Sequence, residues 1–283
     1  MIILDGKALS QKILSGLAEE IKKFPRKLRL AVVVVGEDPV VRKFIEQKKK
    51  TGESIGIDVR VYPFKEAITT NELRKRIAEI VHEKKNTGVI IQLPLPPQIN
   101  KQYILNSVVP EKDVDMLSGR ALGSFIVGKH PTGRASGFSP IMPPVAGAVK
   151  ALFEEYAIPY TEKNIVILGA GNLVGRPIAL WMLQQGATVS VITENSPNPQ
   201  SLILQADIII SGIGKPHSVT GDMVKEGAVV IDAGTSESEG KLVGDIDFDS
   251  VSQKASHITP VPGGVGPLTV AMLFKNLLTL AKI

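Results

Sequence analysis

The sequence contains no cysteine, few aromatic residues and no long apolar run. Without cysteine the chain can form neither disulfide bonds nor thiolate metal sites. This absence is typical of proteins from a reducing compartment, and we expect a cytoplasmic location. The apolar stretch at the N-terminus is too short for a signal peptide, and no run approaches the roughly 20 residues that cross a bilayer. We therefore expect no membrane association.

Patterns for metal and nucleic-acid binding are also missing. The four histidines are scattered without the spacing of metal ligands, so we predict no metal site. The net charge is +5, but few aromatic residues stand among the lysines. This combination argues against a nucleic-acid partner and favours either a solvated surface or a mild attraction for small anions.

Strand-like and helix-like segments alternate along the chain. The β-branched run at Leu28–Gly36 predicts a buried parallel strand, and Asp38-Pro39 predicts the start of a helix that runs to about Ile55. Strand-like and helix-like segments alternate both before and after a Gly- and Pro-rich stretch between Pro110 and Pro144. The pattern predicts an α/β protein of two domains joined near residues 115–145.

The predicted domains have the following boundaries. Residues 1–140 form an N-terminal α/β domain, and residues 141–266 form a C-terminal Rossmann domain. Helical periodicity continues to the end of the chain, and we expect the helix at 267–283 to pack back on the N-terminal domain.

The stretch "VILGAGNLVGRP" (Val166–Pro177) predicts a nucleotide-binding loop. Gly169, Gly171 and Gly175 follow a predicted strand and open a predicted helix. In such a loop the glycines permit a tight turn, close approach to a pyrophosphate and packing of the helix on the strand. The spacing differs from G-x-G-x-x-G, and the alternative, on the loop alone, is a glycine-rich turn that binds nothing.

Five further stretches resemble the bifunctional methylenetetrahydrofolate dehydrogenase/methenyltetrahydrofolate cyclohydrolase family, in order and over essentially the whole chain. They are "VGEDPVVRKFIEQKKK" (Val35–Lys50), "IIQLPLP" (Ile90–Pro96), "KDVD" (Lys112–Asp115), "GKP" with "DMVKEGAVVIDAG" (Gly214–Gly234) and "TPVPGGVGPLTVAML" (Thr259–Leu273). The resemblance implies folate binding in a cleft between the two domains. It also implies oxidation of methylene-tetrahydrofolate by NAD(P), hydrolysis of the methenyl product to formyl-tetrahydrofolate, and a homodimer. Its folate substrates can carry polyglutamate tails.

The resemblance also assigns residues to the site. Lys48, Gln92 and Asp115 correspond to the catalytic lysine, its glutamine partner and the pterin-binding aspartate. Substrate binding is assigned to Phe44, Lys48, Gln92, Asp115, Pro262, Gly263 and Gly264. Cofactor binding is assigned to Gly169, Ala170, Gly171, Asn172, Val174, Gly175, Glu194 and Thr235.

The chemistry of the catalytic residues fits these roles. Burial and the like charges of Lys49 and Lys50 would both lower the pKa of Lys48, so that it could exchange protons near neutral pH. The oxygens of Asp115 suit the donor edge of an aminopterin ring. Taken alone, a lysine run is usually a solvated helix face and Asp115 could cap a turn; the resemblance over the whole chain favours the catalytic roles.

Several positions depart from the family pattern. Phe44 replaces a tyrosine and therefore lacks its hydroxyl, and Met116 replaces a glycine. These departures leave open the balance of the two activities. A second hypothesis is a diverged homologue that binds folate and nucleotide but has weak activity or only one of the two activities. A third hypothesis is an unrelated Rossmann dehydrogenase.

Two further departures concern the choice of cofactor. In the family, an arginine and a serine face the 2′-phosphate of NADP; here Ala170 replaces the arginine and Glu194 replaces the serine. Both changes favour NAD over NADP.

Overall fold

The computed structural model describes residues 1–128, 141–238 and 241–283. In the first of these ranges the elements are β1 (Ile2–Ile3), α1 (Gly6–Ile21), β2 (Arg29–Val35), α2 (Pro39–Ser54), β3 (Asp58–Phe64), α3 (Thr70–His82), β4 (Gly88–Ile91), α4 (Lys101–Leu105) and α5 (Gly119–Ile126).

From residue 141 onward the elements again alternate. They are α6 (Pro144–Glu155), β5 (Asn164–Leu168), α7 (Gly175–Gln184), β6 (Thr188–Ile192), α8 (Pro199–Gln205), β7 (Ile208–Ser211), β8 (Val229–Asp232), β9 (Ser236–Ser238), β10 (Lys241–Val243), α9 (Phe248–Ser252), β11 (His257–Ile258) and α10 (Val265–Ala281). Among the residues that the structure describes, no helix is long and apolar enough to span a bilayer.

One compact unit, which we call the three-stranded unit, comprises Lys12–Pro144 and Val270–Ile283. Its parallel sheet has the order β3-β2-β4. The central strand β2 reads as a continuous apolar run because helices cover both faces of a parallel sheet. The later part of α10 belongs to this unit: a Cβ at Gly52 would lie 3.1 Å from the Phe274 ring, and Asn276 donates to the carbonyl of Val114 at 2.9 Å.

The other compact unit, the six-stranded unit, comprises Met1–Gln11 and Val145–Thr269. Its main sheet is parallel throughout, with the order β1-β11-β8-β7-β5-β6. The chain order reverses beside β5, and ligands of open α/β sheets bind at the carboxyl ends of the strands near such a reversal. The antiparallel pair β9-β10 follows β8.

The α/β class and the Rossmann-like sheet are confirmed, whereas two local features were not predicted. Residues 1–11 pack with the six-stranded unit rather than with the three-stranded unit, because β1 pairs with β11 through Ile2↔His257 and Ile3↔Ile258. The stretch expected as a loose connection contains α5, which Ser118 caps through the backbone N–H of Ala121. Residues 129–140 of that stretch lie outside the described residues.

Candidate active site

Lys48 lies on α2, and the first turn of this helix sets its register. The Asp38 carboxylate accepts hydrogen bonds from the backbone N–H groups of Val40 at 2.7 Å and Val41 at 3.1 Å. Pro39 occupies the first turn, where its missing N–H has no partner to lose. Val41 is buried, and Lys48 lies two turns later on nearly the same face. The lysine is therefore partly buried at the edge of the core.

A hydrogen bond joins Lys48 to the end of a neighbouring strand. Its Nζ donates to Oε1 of Gln92 at 3.0 Å. Gln92 directly follows β4, and its backbone N–H donates to Val33 at 2.9 Å. The side-chain Nε2 donates to the carbonyl of Leu93 at 2.9 Å, which leaves the amide oxygen facing the lysine. Since Gln92 is only 9% exposed, this orientation is held within the protein.

Asp115 lies on a turn that Asp113 organises. Asp113 forms a parallel bridge with Val89 of β4. Its buried carboxylate accepts hydrogen bonds from the backbone N–H groups of Leu117 at 3.3 Å and Ser118 at 2.8 Å. The turn that carries Asp115 is therefore attached to β4, the strand that Gln92 directly follows. The role of Asp113 was not predicted, although an aspartate in "KDVD" is a residue type whose side chain often accepts hydrogen bonds from the backbone of its own turn.

Burial dominates the electrostatics of the pair formed by Lys48 and Asp115. It lowers the pKa of Lys48, while the negative charge of Asp115 opposes this shift. Burial likewise raises the pKa of Asp115 to about 6, against the opposing effect of the Lys48 charge. Burial and the charge of Asp115 account for the shift in the pKa of Lys48, without the expected contribution of Lys49 and Lys50. A neutral amine is thus accessible closer to neutral pH than for an ordinary lysine.

The raised pKa of Asp115 predicts a measurable cost in stability. A carboxyl whose pKa is higher in the folded state stabilises the fold only at low pH, and this contribution is lost as the pH rises through about 6. Asp115→Asn should therefore raise the free energy of unfolding by roughly 1 to 3 kcal/mol at about pH 7.5, with the gain shrinking as the pH falls toward about 4. Urea denaturation at several pH values measures this.

The matched control is Glu226→Gln, which removes an exposed carboxylate. It should change the free energy of unfolding by less than about 0.5 kcal/mol at every pH. A gain for Asp115→Asn that is independent of pH, or no gain above about pH 7, would show that burial does not raise the pKa of this carboxyl.

The glycine loop lies in the six-stranded unit, between β5 and α7. Gly169 has a φ of +97°, which favours glycine, and its N–H donates to Ile192 at 2.8 Å. A Cβ at Gly175 would overlap with the carbonyl of Gly169, so only glycine lets α7 start this close to the loop. A Cβ at Gly171 would meet nothing within 4 Å, which leaves open space beside the backbone. The three glycines thus have the local environments that a phosphate-binding turn requires.

The remaining expected cofactor residues follow the carboxyl ends of three strands of the six-stranded sheet, β5, β6 and β8. Ala170 and Asn172 lie in the loop itself, where Asn172 accepts a hydrogen bond from the Arg176 guanidinium at 2.8 Å. Glu194 is exposed and comes two residues after β6, and Thr235 is exposed and comes three residues after β8. Val174 is partly buried and directly precedes α7.

The segment Pro262–Gly264 is anchored within the six-stranded unit. The backbone N–H of Lys7 donates to Gly263 at 2.8 Å. A Cβ at Gly6 would overlap with the carbonyl of Gly264, so the start of α1 packs directly against this segment. The contribution of Gly6 was not predicted, because the contact joins residues far apart in sequence.

Two departures from the family pattern lie next to the lysine site. Phe44 precedes Lys48 by one turn of α2 and is partly buried, so it offers an aromatic ring without a hydroxyl. Met116 is buried and has a φ of +55°, a conformation that side chains other than glycine adopt rarely. The backbone at this turn therefore has a conformation that glycine adopts more readily than methionine.

One unit has a parallel sheet of the Rossmann type, and the other unit carries a lysine, an amide and a carboxylate close together. These two features are those expected of a two-domain oxidoreductase that uses a nucleotide. Comparisons with known proteins identify the family. Residues 4–115 match the model described as "Tetrahydrofolate dehydrogenase/cyclohydrolase, catalytic domain", and residues 143–283 match its "NAD(P)-binding domain". The chain belongs to this tetrahydrofolate dehydrogenase/cyclohydrolase family and has its NAD(P)-binding domain.

Individual relatives extend over the whole chain. The bifunctional protein FolD of Campylobacter jejuni strain RM1221 is 44% identical over 286 residues, covering 100% of this chain and 99% of the relative. A FolD crystal structure from C. jejuni superposes with a TM-score of 0.93 at 42% identity, covering 100% of this chain and 99% of the other. The Trypanosoma brucei enzyme, solved with NADP cofactor and an inhibitor, has a TM-score of 0.91 at 31% identity, with 100% and 97% coverage.

Proposed function

We propose that this protein oxidises methylene-tetrahydrofolate to methenyl-tetrahydrofolate by hydride transfer to NAD(P), and then hydrolyses the methenyl product to formyl-tetrahydrofolate. Family membership over both halves of the chain supports the reaction. In this chain the proposal depends on one observation: Lys48 is hydrogen-bonded to Gln92 beside Asp115. Lys48 is the proton-transfer group that the second step needs.

Lys48 acts in the hydrolysis as base and then as acid. In its neutral form it accepts a proton from the water that attacks the methenyl carbon. The resulting ammonium then protonates the ring nitrogen that leaves as the carbon–nitrogen bond breaks. Gln92 holds the amine toward the substrate through its amide oxygen. The lowered pKa of Lys48 permits both forms near neutral pH.

In the oxidation the bound nicotinamide supplies the hydride acceptor, and the protein contributes binding and orientation. We assign Asp115 to the donor edge of the pterin and Phe44 to stacking on an aromatic ring of the folate. Pro262, Gly263 and Gly264 complete the proposed folate-binding set. The proposed cofactor set is Gly169, Ala170, Gly171, Asn172, Val174, Gly175, Glu194 and Thr235.

One assay tests the proposed function. Methylene-tetrahydrofolate is mixed with the protein and either NAD or NADP, and the absorbance of methenyl-tetrahydrofolate is followed. In a second arm, methenyl-tetrahydrofolate is supplied without nucleotide and its disappearance is measured. Turnover in both arms is expected. Binding of folate and nucleotide without turnover in either arm would instead identify a binding homologue and overturn the proposal.

We propose NAD as the preferred cofactor, on the chemistry of two side chains. Ala170 offers no cation to a 2′-phosphate, and the exposed carboxylate of Glu194 would repel one. The guanidinium of Arg176 donates a hydrogen bond to Asn172. This bond supports the view that Arg176 does not take over the role of the missing cation at the 2′-phosphate.

We also propose a homodimer that forms through the six-stranded unit. Strand β6 is the last strand of its sheet, and a terminal strand presents backbone groups that a second copy can pair. Apolar side chains are exposed on and beside it, since Val191 is 40% exposed and Leu183 on α7 is 59% exposed. Sedimentation equilibrium should give twice the 30.4 kDa mass of the chain, and a monomer at micromolar concentration would contradict the dimer.

Polyglutamylated folates are the proposed natural form of the substrate. A surface depression follows the exposed side of α2, with Arg42, Lys43 and Lys50 among the residues that line it. These cations outnumber the single acidic residue there, Glu46, and the face is continuous with the helix that carries Lys48. A triglutamate substrate should show a lower KM than the monoglutamate, and an equal KM at low ionic strength would argue against a tail site.

A further inference from the structure

Two buried aspartates of the six-stranded unit face each other at the carboxyl edge of the sheet. Asp232 ends β8 and is 3% exposed, and Asp245 follows β10 and is 0% exposed. Ser211 at the end of β7 pairs in register with Asp232 on one side and with Leu168 at the end of β5 on the other. The two carboxylates therefore lie in the row of strand ends that includes the start of the glycine loop.

Asp245 gathers three donors from the segment after β7. Its Oδ2 accepts hydrogen bonds from the Ser211 hydroxyl at 2.7 Å and from the backbone N–H of Ile213 at 2.8 Å. Its Oδ1 accepts one from the backbone N–H of Lys215 at 2.9 Å. Because all three partners donate, the site requires a group with two accepting oxygens, which the side chain of aspartate supplies and that of asparagine does not.

Asp232 supports Asp245 from the other side. It accepts hydrogen bonds from the backbone N–H of Gly234 at 2.9 Å, of Asp245 at 3.2 Å and of Ile246 at 2.9 Å. The packing is reciprocal: a Cβ at Gly234 would overlap with the carboxylate of Asp245, and one at Gly244 would overlap with that of Asp232. Each aspartate thus occupies the space that a glycine in the other segment leaves free.

The segment held by Asp245 forms one wall of the glycine loop. Gly212 lies between Ser211 and Ile213, and a Cβ at Gly169 would come within 2.9 Å of the Gly212 carbonyl. A Cβ at Gly212 would overlap with Val174, which directly precedes α7. A shift of Gly212 would therefore displace the loop at both ends, because closely packed backbones have no free space to absorb it.

We infer that Asp245, supported by Asp232, is a positioning residue that holds the Ser211–Lys215 segment against the glycine loop and thereby sets the affinity for NAD(P). The inference rests on the proposed function for the identity of the cofactor. It places no aspartate in contact with the reacting atoms. The pair should act on cofactor binding and leave proton transfer at Lys48, which belongs to the three-stranded unit, nearly unchanged.

Asp245→Asn is the first test. Asparagine keeps the size of the side chain, but its NH₂ group must take the place of one of the two accepting oxygens. In either orientation the NH₂ group would then face a backbone N–H, and that hydrogen bond would be lost. The KM for NAD should rise by about tenfold or more, whereas kcat at saturating NAD should change by less than about threefold. Cyclohydrolase turnover, measured without nucleotide, should fall by less than about twofold. Fluorescence titration with NADH measures the affinity directly.

Two further variants keep the inference falsifiable. Ser211→Ala removes one of the three donors and leaves the carboxylate, so it should raise the KM for NAD by about twofold to fivefold even if Asp245→Asn does not fold. The control is Asp247→Asn, which changes a half-buried aspartate bonded to Ser250 at 2.6 Å in the same stretch. This control should leave the KM for NAD within about twofold of the unmodified value.

The outcomes separate a positioning role from a general structural one. An unchanged KM for NAD in both Asp245→Asn and Ser211→Ala would overturn the inference. Dehydrogenase and cyclohydrolase activities that fall in parallel would also overturn it, because they would indicate a loss of folded protein. If the unmodified protein turns over neither substrate, the proposed function fails, but the NADH titration of the same variants still decides whether Asp245 controls nucleotide affinity.

Discussion

Replacing Lys48 by methionine is expected to lower cyclohydrolase activity by about 10²- to 10⁴-fold, the usual contribution of a positioned proton-transfer group. Methionine preserves the length and most of the packing of the side chain but can neither accept nor donate the proton. Dehydrogenase activity should also fall sharply, since the side chain lies beside Asp115, which we assign to the pterin. The nucleotide affinity, measured by NADH titration, should survive, because the glycine loop belongs to the other unit.

The neighbouring lysine provides the matched control. Lys49→Met makes the same chemical change one residue further along α2, and the hydrogen bond to Gln92 comes from Lys48. Lys49→Met should keep both activities within about threefold of the unmodified protein. If Lys48→Met also keeps them within about threefold, the acid and base roles assigned to Lys48 are wrong.

The sequence predicted elements best where local chemistry and tertiary packing agree. The run before Gly36 is the buried strand β2, and Asp38 with Pro39 begins α2 as expected. In contrast, α5 was not predicted, because glycine and serine in this segment are typical of a loop. The helix is stabilised at its start by Ser118, which caps it. The packing of residues 1–11 with the six-stranded unit was not predicted for a related reason: strand pairing between Ile2 and His257 does not affect the local periodicity of the sequence.

The residues assigned to the candidate site remain predictions, and the side chains and backbone groups around them could not be foreseen from the sequence. The hydrogen bond between Lys48 and Gln92 agrees with their assignment as partners. The cause of the lowered pKa was only half predicted, since burial lowers it without the expected contribution of the adjacent lysines of the run. The roles of Asp113 and Asp245 depend on which backbone N–H groups converge on them, and this convergence arises from contacts between segments distant in sequence.

The cofactor preference is expected to shift toward NADP by at least about tenfold in kcat/KM when Glu194→Ser is combined with Ala170→Arg. Glu194 lies 194 − 175 = 19 residues beyond Gly175, close to the spacing of about 20 for the acid that binds the ribose hydroxyls of NAD. It is exposed in a turn closed by the bond from the Thr193 N–H to Ser196 at 2.9 Å. The double variant removes this repulsive charge and adds a cation for the 2′-phosphate.

Steady-state kinetics with both nucleotides measures the preference in the unmodified protein and in each variant. Glu194→Ser alone should lower the ratio of kcat/KM for NAD to that for NADP, because repulsion of the phosphate is lost even before a cation is supplied. Glu226→Ser, which removes an exposed carboxylate in a loop of the same unit, should leave the ratio within about twofold. A preference for NADP of about tenfold or more in the unmodified protein would rule out NAD selection by Glu194 and would direct the search to Arg176, the cation nearest in sequence to the glycine loop.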